Sequence, residues 1–532
     1  MEDTSTSAGH KRAISASRFE GSPCPAHFNI TRDIISEAAA TCPDKIALMV
    51  VTGPNETDPI ERFTYAELEA AIQALASHLL KSGVTRGDRV MIRMRNTPTY
   101  AFTVFACFAI GAIALPVSDQ LTDSELHILA TDAKPSTVVF SASVMSSALQ
   151  SAPHLIDAEE FRSLSTKSNL DFDYANTSPN DPALLIYTSG TTARPKGVLH
   201  GHQMAWGRRP MAEGWYGLTP NDRLMHAGAF NWTFTLGTGL IDPWMAGATA
   251  IINTGPRDPD IWPKLLKRTD ATLFAAVPGL IRQILKYAGS AVTDLPSIRH
   301  AMIAGDTPPN GLFEDWQIAT GTPLYEALGM SEISTYISCG PNVPRRPGAI
   351  GRPQAGRAVA ILPETDPSTK PLPTGEIGLL AVHRTDPGLM LGYWNRNDEE
   401  REVFRGEWFI GGDLAEMDQD GYIIHHGRDN DVMKPLGYRI APQEIEDVLV
   451  AHSGVAEAAC TEVEIKNGVR VIAAFIVPEH PTSPPSEADL LKHASANLAA
   501  YKCPRIIHIV DTLPRTANGK LTRSRLATRV NT

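Results

Sequence analysis

The chain has 532 residues, of which 20% are charged and 43% hydrophobic, and carries a formal charge of −11 at pH 7. That length allows a large core and more than one domain, while the acidic balance argues against a nucleic acid or an anionic membrane as partner. Its cysteines, Cys24, Cys42, Cys107, Cys339, Cys460 and Cys503, form no CxxC pair, which fits free thiols in a reducing cytoplasm better than a disulfide frame or a zinc site.

Residues 1–24, rich in Ser, Thr and Ala, are expected to form a mobile or loosely docked arm, and no secretory signal is visible there. Thr64 and Glu67 make a capping-box pattern before Leu68, Ile72, Leu75 and Leu79, one apolar stripe on a helix ended by Gly83. No charged residue occurs between Arg95 and Asp119. Thr97, Pro98 and Thr99 at its start, with Gly111 and Pro116 inside it, favour a buried helix to about Ile110 and a strand through Val117 over a membrane span. Strands are expected at Val90–Ile92, Thr137–Phe140, Leu184–Ile186, Ala250–Ile252 and Leu273–Val277, with helical stretches between them. This is the pattern of βαβ units and largely parallel sheets.

A further strand is expected from Gly375 to Val382, and a turn at Asp418–Gly421 that lacks the rest of a calcium-loop spacing. Past Arg428 the texture changes. A helix from Pro442 to Val450, a hairpin turning at Asn467-Gly468, a helix near Ala488 to Leu498 and a strand at Ile506 to Val510 read as a small α+β module. The fold class is therefore α/β: a large N-terminal domain (1–429) of βαβ-built sheets flanked by helices, plus a small α+β domain (430–532), divided at Asp429–Asp431.

The most informative run is Tyr187-Thr188-Ser189-Gly190-Thr191-Thr192-Ala193-Arg194-Pro195-Lys196-Gly197. Backbone amides around Gly190 and the hydroxyls of Thr188, Ser189, Thr191 and Thr192 can converge on phosphate oxygens, and Lys196 adds a positive charge. An ordinary Ser/Thr/Gly turn is the bland alternative. Gly190 lies six residues before Lys196, Pro195 precedes the lysine and Gly197 follows it, so a GxxxxGK[ST] loop is excluded; a GxGxxG fingerprint is absent. The run resembles the signature loop of the acyl-adenylate-forming superfamily, which holds acyl-CoA synthetases, adenylation domains of peptide synthetases and firefly-type luciferases. Ala193 departs from the family's glycine.

The resemblance covers nearly the whole chain and implies a small mobile C-terminal cap, ATP and a carboxylic acid as substrates, and Mg2+. It places Glu332, in Leu328-Gly329-Met330-Ser331-Glu332, on the magnesium, Ser331 on phosphate, and Thr188 as a further metal ligand. Gly305-Asp306-Thr307 and Glu326-Ala327-Leu328, with Gly329 and Met330, would line the nucleotide pocket. Leu328 stands where an aromatic residue is common. Asp413 would accept both ribose hydroxyls, supported by Arg428; a structural salt bridge is the alternative for this pair, and the family-like run Asp431, Lys434, Gly437, Tyr438, Arg439, Ile440, Pro442, Glu444, Ile445 favours the ribose role. Lys520, in Pro514-Arg515-Thr516-Ala517-Asn518-Gly519-Lys520, is similar to the superfamily's catalytic lysine. The implied hinge is Asn430, where relatives carry Asp or Lys, and Lys434, Leu436, Gly437 and Arg439 would serve the thioester step.

Phe230-Asn231-Trp232 falls where relatives begin the acyl pocket, with Gly329 and Met330 opposite. Phe230 reads equally well as core. Asn231 is neutral and cannot pair with an amino acid's ammonium, so an aliphatic or aromatic acid is implied. The chain ends a dozen residues after Lys520, so a diffusible thiol, commonly coenzyme A, is the expected acceptor. The expectation is an AMP-forming acyl-CoA synthetase; the rivals are a stand-alone enzyme loading a carrier protein, and a catalytically silent nucleotide-binding protein suggested by Ala193, Leu328 and Asn430. His200-Gly201-His202 and His425-His426 read as surface or loop histidines rather than metal pairs. The sequence allows a homodimer without requiring one.

Overall fold

The computed structural model describes residues 11–150, 152–160, 172–188, 195–309, 311–428, 433, 440, 442–466, 469–498, 502–515, 521–523 and 525–526. They fall into two compact units, one of residues 15–359 and 382–409, the other of 1–14, 360–381 and 410–532.

Among the described residues the larger unit has a nine-stranded and a seven-stranded sheet. In the first, the strands Leu324–Met330, His300–Ala304, Leu273–Ala276, Arg223–His226, Thr249–Asn253 and Ile46–Val51 run parallel in that spatial order. Antiparallel strands close its two ends. The second orders Gly392–Tyr393, Lys196–Gly201, Pro182–Thr188, Ile113–Pro116, Arg89–Arg93, Thr137–Phe140 and His154–Asp157, the last five parallel. Each of the five short apolar runs lies in an observed strand, except that Val277 caps the next helix. Buried on both faces, such strands need no polar alternation.

Local signals set the helix ends. In Tyr65–Lys81, Glu67 N–H donates to Thr64 Oγ1 (3.2 Å) and Thr64 N–H to Glu67 Oε2 (2.8 Å), and Leu68, Ile72, Leu75 and Leu79 are buried. Pro98–Ile110 starts on a Thr97 cap and stops at Gly111, whose φ of 71° is left-handed. Its residues Thr99 to Ile110 are all buried, and the apolar ones share a cluster with Leu48 and Val50 of the first sheet and Val90, Ile92 and Leu184 of the second. A helix that meets protein on every side explains the missing charges. No helix among the described residues is long and apolar enough to cross a membrane.

In the smaller unit, Val455–Lys466 and Val469–Pro478 form a hairpin joined in parallel by Ile506–Ile509. The helices Pro442–Val450 and Glu487–Asn497 cover it through Ile445, Leu449, Leu490 and Ala494. The turn at Asn467-Gly468 lies outside the described residues. Residues 360–381 and 410–428 also belong to this unit, whereas the sequence reading sets one boundary at 429/430. Antiparallel pairing of Trp408–Met417 with Ile423–Arg428 ties that stretch together.

The loose arm is corrected from Lys11 onward. Arg12 and Ile14 bridge to Pro373 and Ala360, Ala13 is buried and its N–H donates to Leu372 O at 2.8 Å. Within the larger unit, Ser15 N–H donates to Val359 O (2.9 Å) and Ser15 Oγ to Arg357 O (2.8 Å). An extended segment meeting unpaired strand groups is held by its backbone, which composition does not reveal.

Candidate active site

The phosphate-type loop closes a hairpin. Pro182–Thr188 pairs antiparallel with Lys196–Gly201, Thr188 opposite Lys196, and the second strand pairs in turn with Gly392–Tyr393. Ser189, Gly190, Thr191, Thr192 and Ala193 lie outside the described residues. A Cβ on Gly197 would stand only 3.0 Å from Leu185 Cδ1 and from Trp394 Cβ, which accounts for the glycine after the lysine. Lys196, expected on phosphate, places its ammonium 2.6 Å from Glu399 Oε2 and above the Tyr393 ring. Arg396 reaches the same carboxylate at 2.9 Å. The hydrogen bond from Lys196 holds the Glu399 carboxyl below its ordinary range. In sequence Glu399 is one acid in an acidic helix and reads as a solvated group.

Leu324–Met330 turns back into Ser334–Ser338, and a Cβ on Gly329 would run into the Ser334 carbonyl. Ser334 itself holds a left-handed φ of 66°, and its hydroxyl accepts from Arg208 Nη1. This tight turn presents Ser331 and Glu332. Tyr393 O–H donates to Glu332 Oε1 at 2.8 Å, and Met390 N–H to Glu332 O at 2.7 Å. His200 Nε2 donates to Ser331 O at 2.8 Å. Burial pushes His200 down to about 4, so the ring is neutral, and its buried Nδ1 has no hydrogen-bond partner among the described residues. The surface reading of this histidine pair is thus corrected: His200 and His202 are both buried, and His202 Nδ1 accepts from Ile30 N–H at 3.2 Å. Neither Tyr393 nor His200 stands out in the sequence as a partner of the Ser331-Glu332 element.

Strand His300–Ala304 runs into Gly305, whose φ is 94° and whose Cβ, if present, would stand 2.5 Å from Trp232 Cη2. Next to it, Thr307 N–H donates to Asp306 Oδ1 (2.9 Å). The structure thus brings one aromatic of the expected acyl wall against the expected nucleotide segment. Phe230 lies deeper, 3% exposed, with its N–H on Asn96 Oδ1 (3.0 Å) and its ring 5.5 Å from Tyr100; Asn231 is half-buried. Phe230 thus packs within the core cluster.

Glu326 sits on Leu324–Met330, its N–H donating to Cys339 Sγ at 3.1 Å; Ala327 and Leu328 pair with Ser338 and Ile337. Loss of solvation pushes the Glu326 carboxyl up to about 8 from an ordinary 4.5. Between those values the folded chain holds a proton that the unfolded chain has released, so this group makes stability fall as pH rises across the window. Glu326→Gln cannot ionise. Its melting temperature relative to the parent is expected to rise between about pH 5 and about pH 8; thermal melts giving the same difference at both would contradict a poorly solvated acid.

In the smaller unit, Asp413 pairs across strands with Arg428 and is buried. Its Oδ1 lies 3.7 Å from Arg428 Nε and 3.0 Å from His425 Nε2, so His425 too is corrected from a surface residue to a partner of the expected ribose ligand. Asn430, Lys434, Leu436, Gly437, Arg439 and Lys520 lie outside the described residues. Flanking Lys520, Arg515 bridges to Leu521, Thr522 N–H donates to Pro514 O (2.9 Å), and Arg523 pairs with buried Glu446 at 2.7 Å.

Two family models match. One, described as AMP-binding enzyme, spans residues 35–394, and the other, AMP-binding enzyme C-terminal domain, spans 444–520. The chain is 29% identical over 479 residues to the 3-hydroxybenzoate–CoA ligase of Aromatoleum sp. (strain CIB), covering 87% of this chain and 91% of that protein. It is also 29% identical over 494 residues to the acetyl-coenzyme A synthetase of Bacillus subtilis (strain 168), covering 87% and 84%. The crystal structure of the anthranilate CoA ligase AuaEII in complex with anthranoyl-AMP matches with a TM-score of 0.85 and 27% identity over 95% of this chain and 98% of that one. With its phosphate-type hairpin, its Ser331-Glu332 turn and a family model over most of its length, the chain belongs to the AMP-binding enzyme family.

Proposed function

We propose that the chain is an AMP-forming carboxylic acid–CoA ligase that activates a short- to medium-chain aliphatic or an aromatic carboxylate with ATP and passes the acyl group to coenzyme A. The observation that carries this reading is the direct bonding of the Ser331-Glu332 turn to the strand leading out of the phosphate-type loop, through His200 to Ser331, and to the strand paired with it, through Tyr393 to Glu332. Relatives named as ligases of 3-hydroxybenzoate and of benzoate, and the neighbour holding anthranoyl-AMP, support an aromatic acid; the acetyl-coenzyme A synthetase supports a small aliphatic one.

In the first half-reaction the substrate carboxylate attacks the α-phosphorus of ATP and pyrophosphate leaves. Two anions must approach, so positive charge has to meet them. Glu332 fits a magnesium site, because such ions take one or two carboxylates together with phosphate and water, and Tyr393 holds this carboxylate in place. Magnesium held by Glu332, with Thr188 as a further oxygen donor, would neutralise triphosphate charge. The hydroxyls of the 188–192 run hold phosphate, Asp413 accepts the ribose hydroxyls, and the ammonium of Lys520 meets the carboxylate and α-phosphate oxygens.

Trp232 forms one wall of the acyl site beside Gly305, with Gly329 and Met330 opposite. In the second half-reaction the thiol of coenzyme A attacks the adenylate carbonyl and AMP leaves. The cap from residue 430 onward pivots at Asn430 between the two, bringing Lys434, Leu436, Gly437 and Arg439 to the site. Six free thiols support a cytoplasmic setting.

A panel of carboxylic acids, scored by pyrophosphate release with and without coenzyme A, tests the reading. The expected result is acid-dependent release of pyrophosphate with an acyl-CoA product. Adenylate that moves only to a carrier protein would give the rival loading enzyme instead, and no release with any acid would remove the ligase assignment.

A further inference from the structure

We infer that His425 is a positioning residue for the nucleotide, holding the Asp413 carboxylate in the orientation that receives the ribose. This rests on the reading above in which Asp413 accepts the ribose hydroxyls. Asp413 is 3% exposed, so water does little to orient it. Across the strand pair Asp413 faces Arg428 and Ala415 faces His425, so two steps along one strand match three along the other. That is a β-bulge, and Gly427, with φ of 93°, supplies a left-handed residue inside it.

The bulge has a consequence for chemistry. Side chains three positions apart on a regular strand point to opposite faces. The extra residue brings His425 and Arg428 to the same one. His425 Nε2 then lies 3.0 Å from Asp413 Oδ1, against 3.7 Å for Arg428 Nε. A carboxylate oxygen only accepts, so Nε2 carries the hydrogen. The histidine supplies a directional bond, and the arginine adds charge. A carboxylate turns easily about its terminal torsion, which is broad and roughly twofold. A bond to one oxygen fixes its plane for bidentate acceptance of vicinal hydroxyls. The neighbouring His426 is directed elsewhere, 3.8 Å from Glu416 Oε2.

The test compares His425→Phe, which keeps a ring and loses the donor, with His425→Gln, which restores a donor at a similar reach. Full-length enzyme is assayed for KM, kcat and its preference for ATP over 2′-deoxy-ATP. His425→Phe is expected to raise KM for ATP about tenfold, with kcat within about twofold, and to shrink the preference for the ribose hydroxyl; His425→Gln is expected to recover most of both. If His425→Phe does not fold, His425→Leu gives the same comparison. A merely structural histidine would lower stability in the variants and leave the preference at its parental value, which overturns the inference, as does a glutamine variant no better than phenylalanine. Asp413→Asn separates the two levels. If Asp413→Asn keeps the parental KM and preference, the ribose role of Asp413 falls and this inference with it. If Asp413→Asn loses them while His425→Phe does not, only the inference falls.

Discussion

Lys520→Ala is expected to slow acyl-adenylate formation by about a hundred- to a thousandfold while leaving ATP binding within a few fold. The reason is where the charge develops. As the carboxylate closes on the α-phosphorus, negative charge collects on oxygens that the ground-state nucleotide shares with several other donors, so one ammonium matters most at the transition state. Transfer of a preformed adenylate to coenzyme A does not involve that charge and is expected to keep near-parental rates. Single-turnover quench assays of the two half-reactions, with calorimetric ATP binding, read these quantities separately. A variant that forms adenylate at the parental rate would take Lys520 out of the chemistry, parent and variant that both form none would favour the catalytically silent reading, and loss of ATP binding itself would make Lys520 a binding residue.

Asp386→Ala should destabilise the larger unit by about 3–5 kcal/mol, measured by denaturant unfolding. Arg357 and Asp386 are both fully buried, with Arg357 Nη1 2.8 Å from each carboxylate oxygen. The guanidinium also donates to Gln354 Oε1 (3.0 Å) and Gly207 O (2.7 Å), and Asp386 Oδ1 accepts Gly388 N–H at 2.8 Å. Removing the acid strands a buried charge among neutral acceptors. Replacing both partners, Arg357→Met with Asp386→Leu, is expected to recover much of the loss, since two apolar side chains leave no charge to solvate. Activity is expected to follow, because the Asp386–Gly388 turn leads directly to Met390, whose N–H holds the Glu332 carbonyl. Equal stability of parent and Asp386→Ala would mean that water reaches this pair.

The large domain was legible because its elements are decided locally. A capping box spans four residues, Gly111 stops its own helix, and a doubly buried strand needs only a short apolar run, so Tyr65–Lys81, Pro98–Ile110 and Thr137–Phe140 follow from neighbours a few positions away. The roles expected of Glu332 and Asp413 came from resemblance rather than from any property that a lone acid has. The first two dozen residues misled for the converse reason. Their composition is that of a loose arm, yet what holds Lys11 onward is backbone pairing with residues more than three hundred positions later.

What the sequence by itself determined was the βαβ order, the small C-terminal module and a hydroxyl-rich loop suited to a polyphosphate. Only the tertiary structure decided which groups stand beside them: Tyr393, 61 positions from Glu332; His200, 131 positions from Ser331; Glu399 beside Lys196; and Trp232 against Gly305. Periodicity and capping act over one or two turns of chain, so they are written in consecutive residues. Hydrogen bonds across separate strands depend on sheet order, register and a single inserted residue such as the one beside Gly427, and those are properties of the assembled sheets.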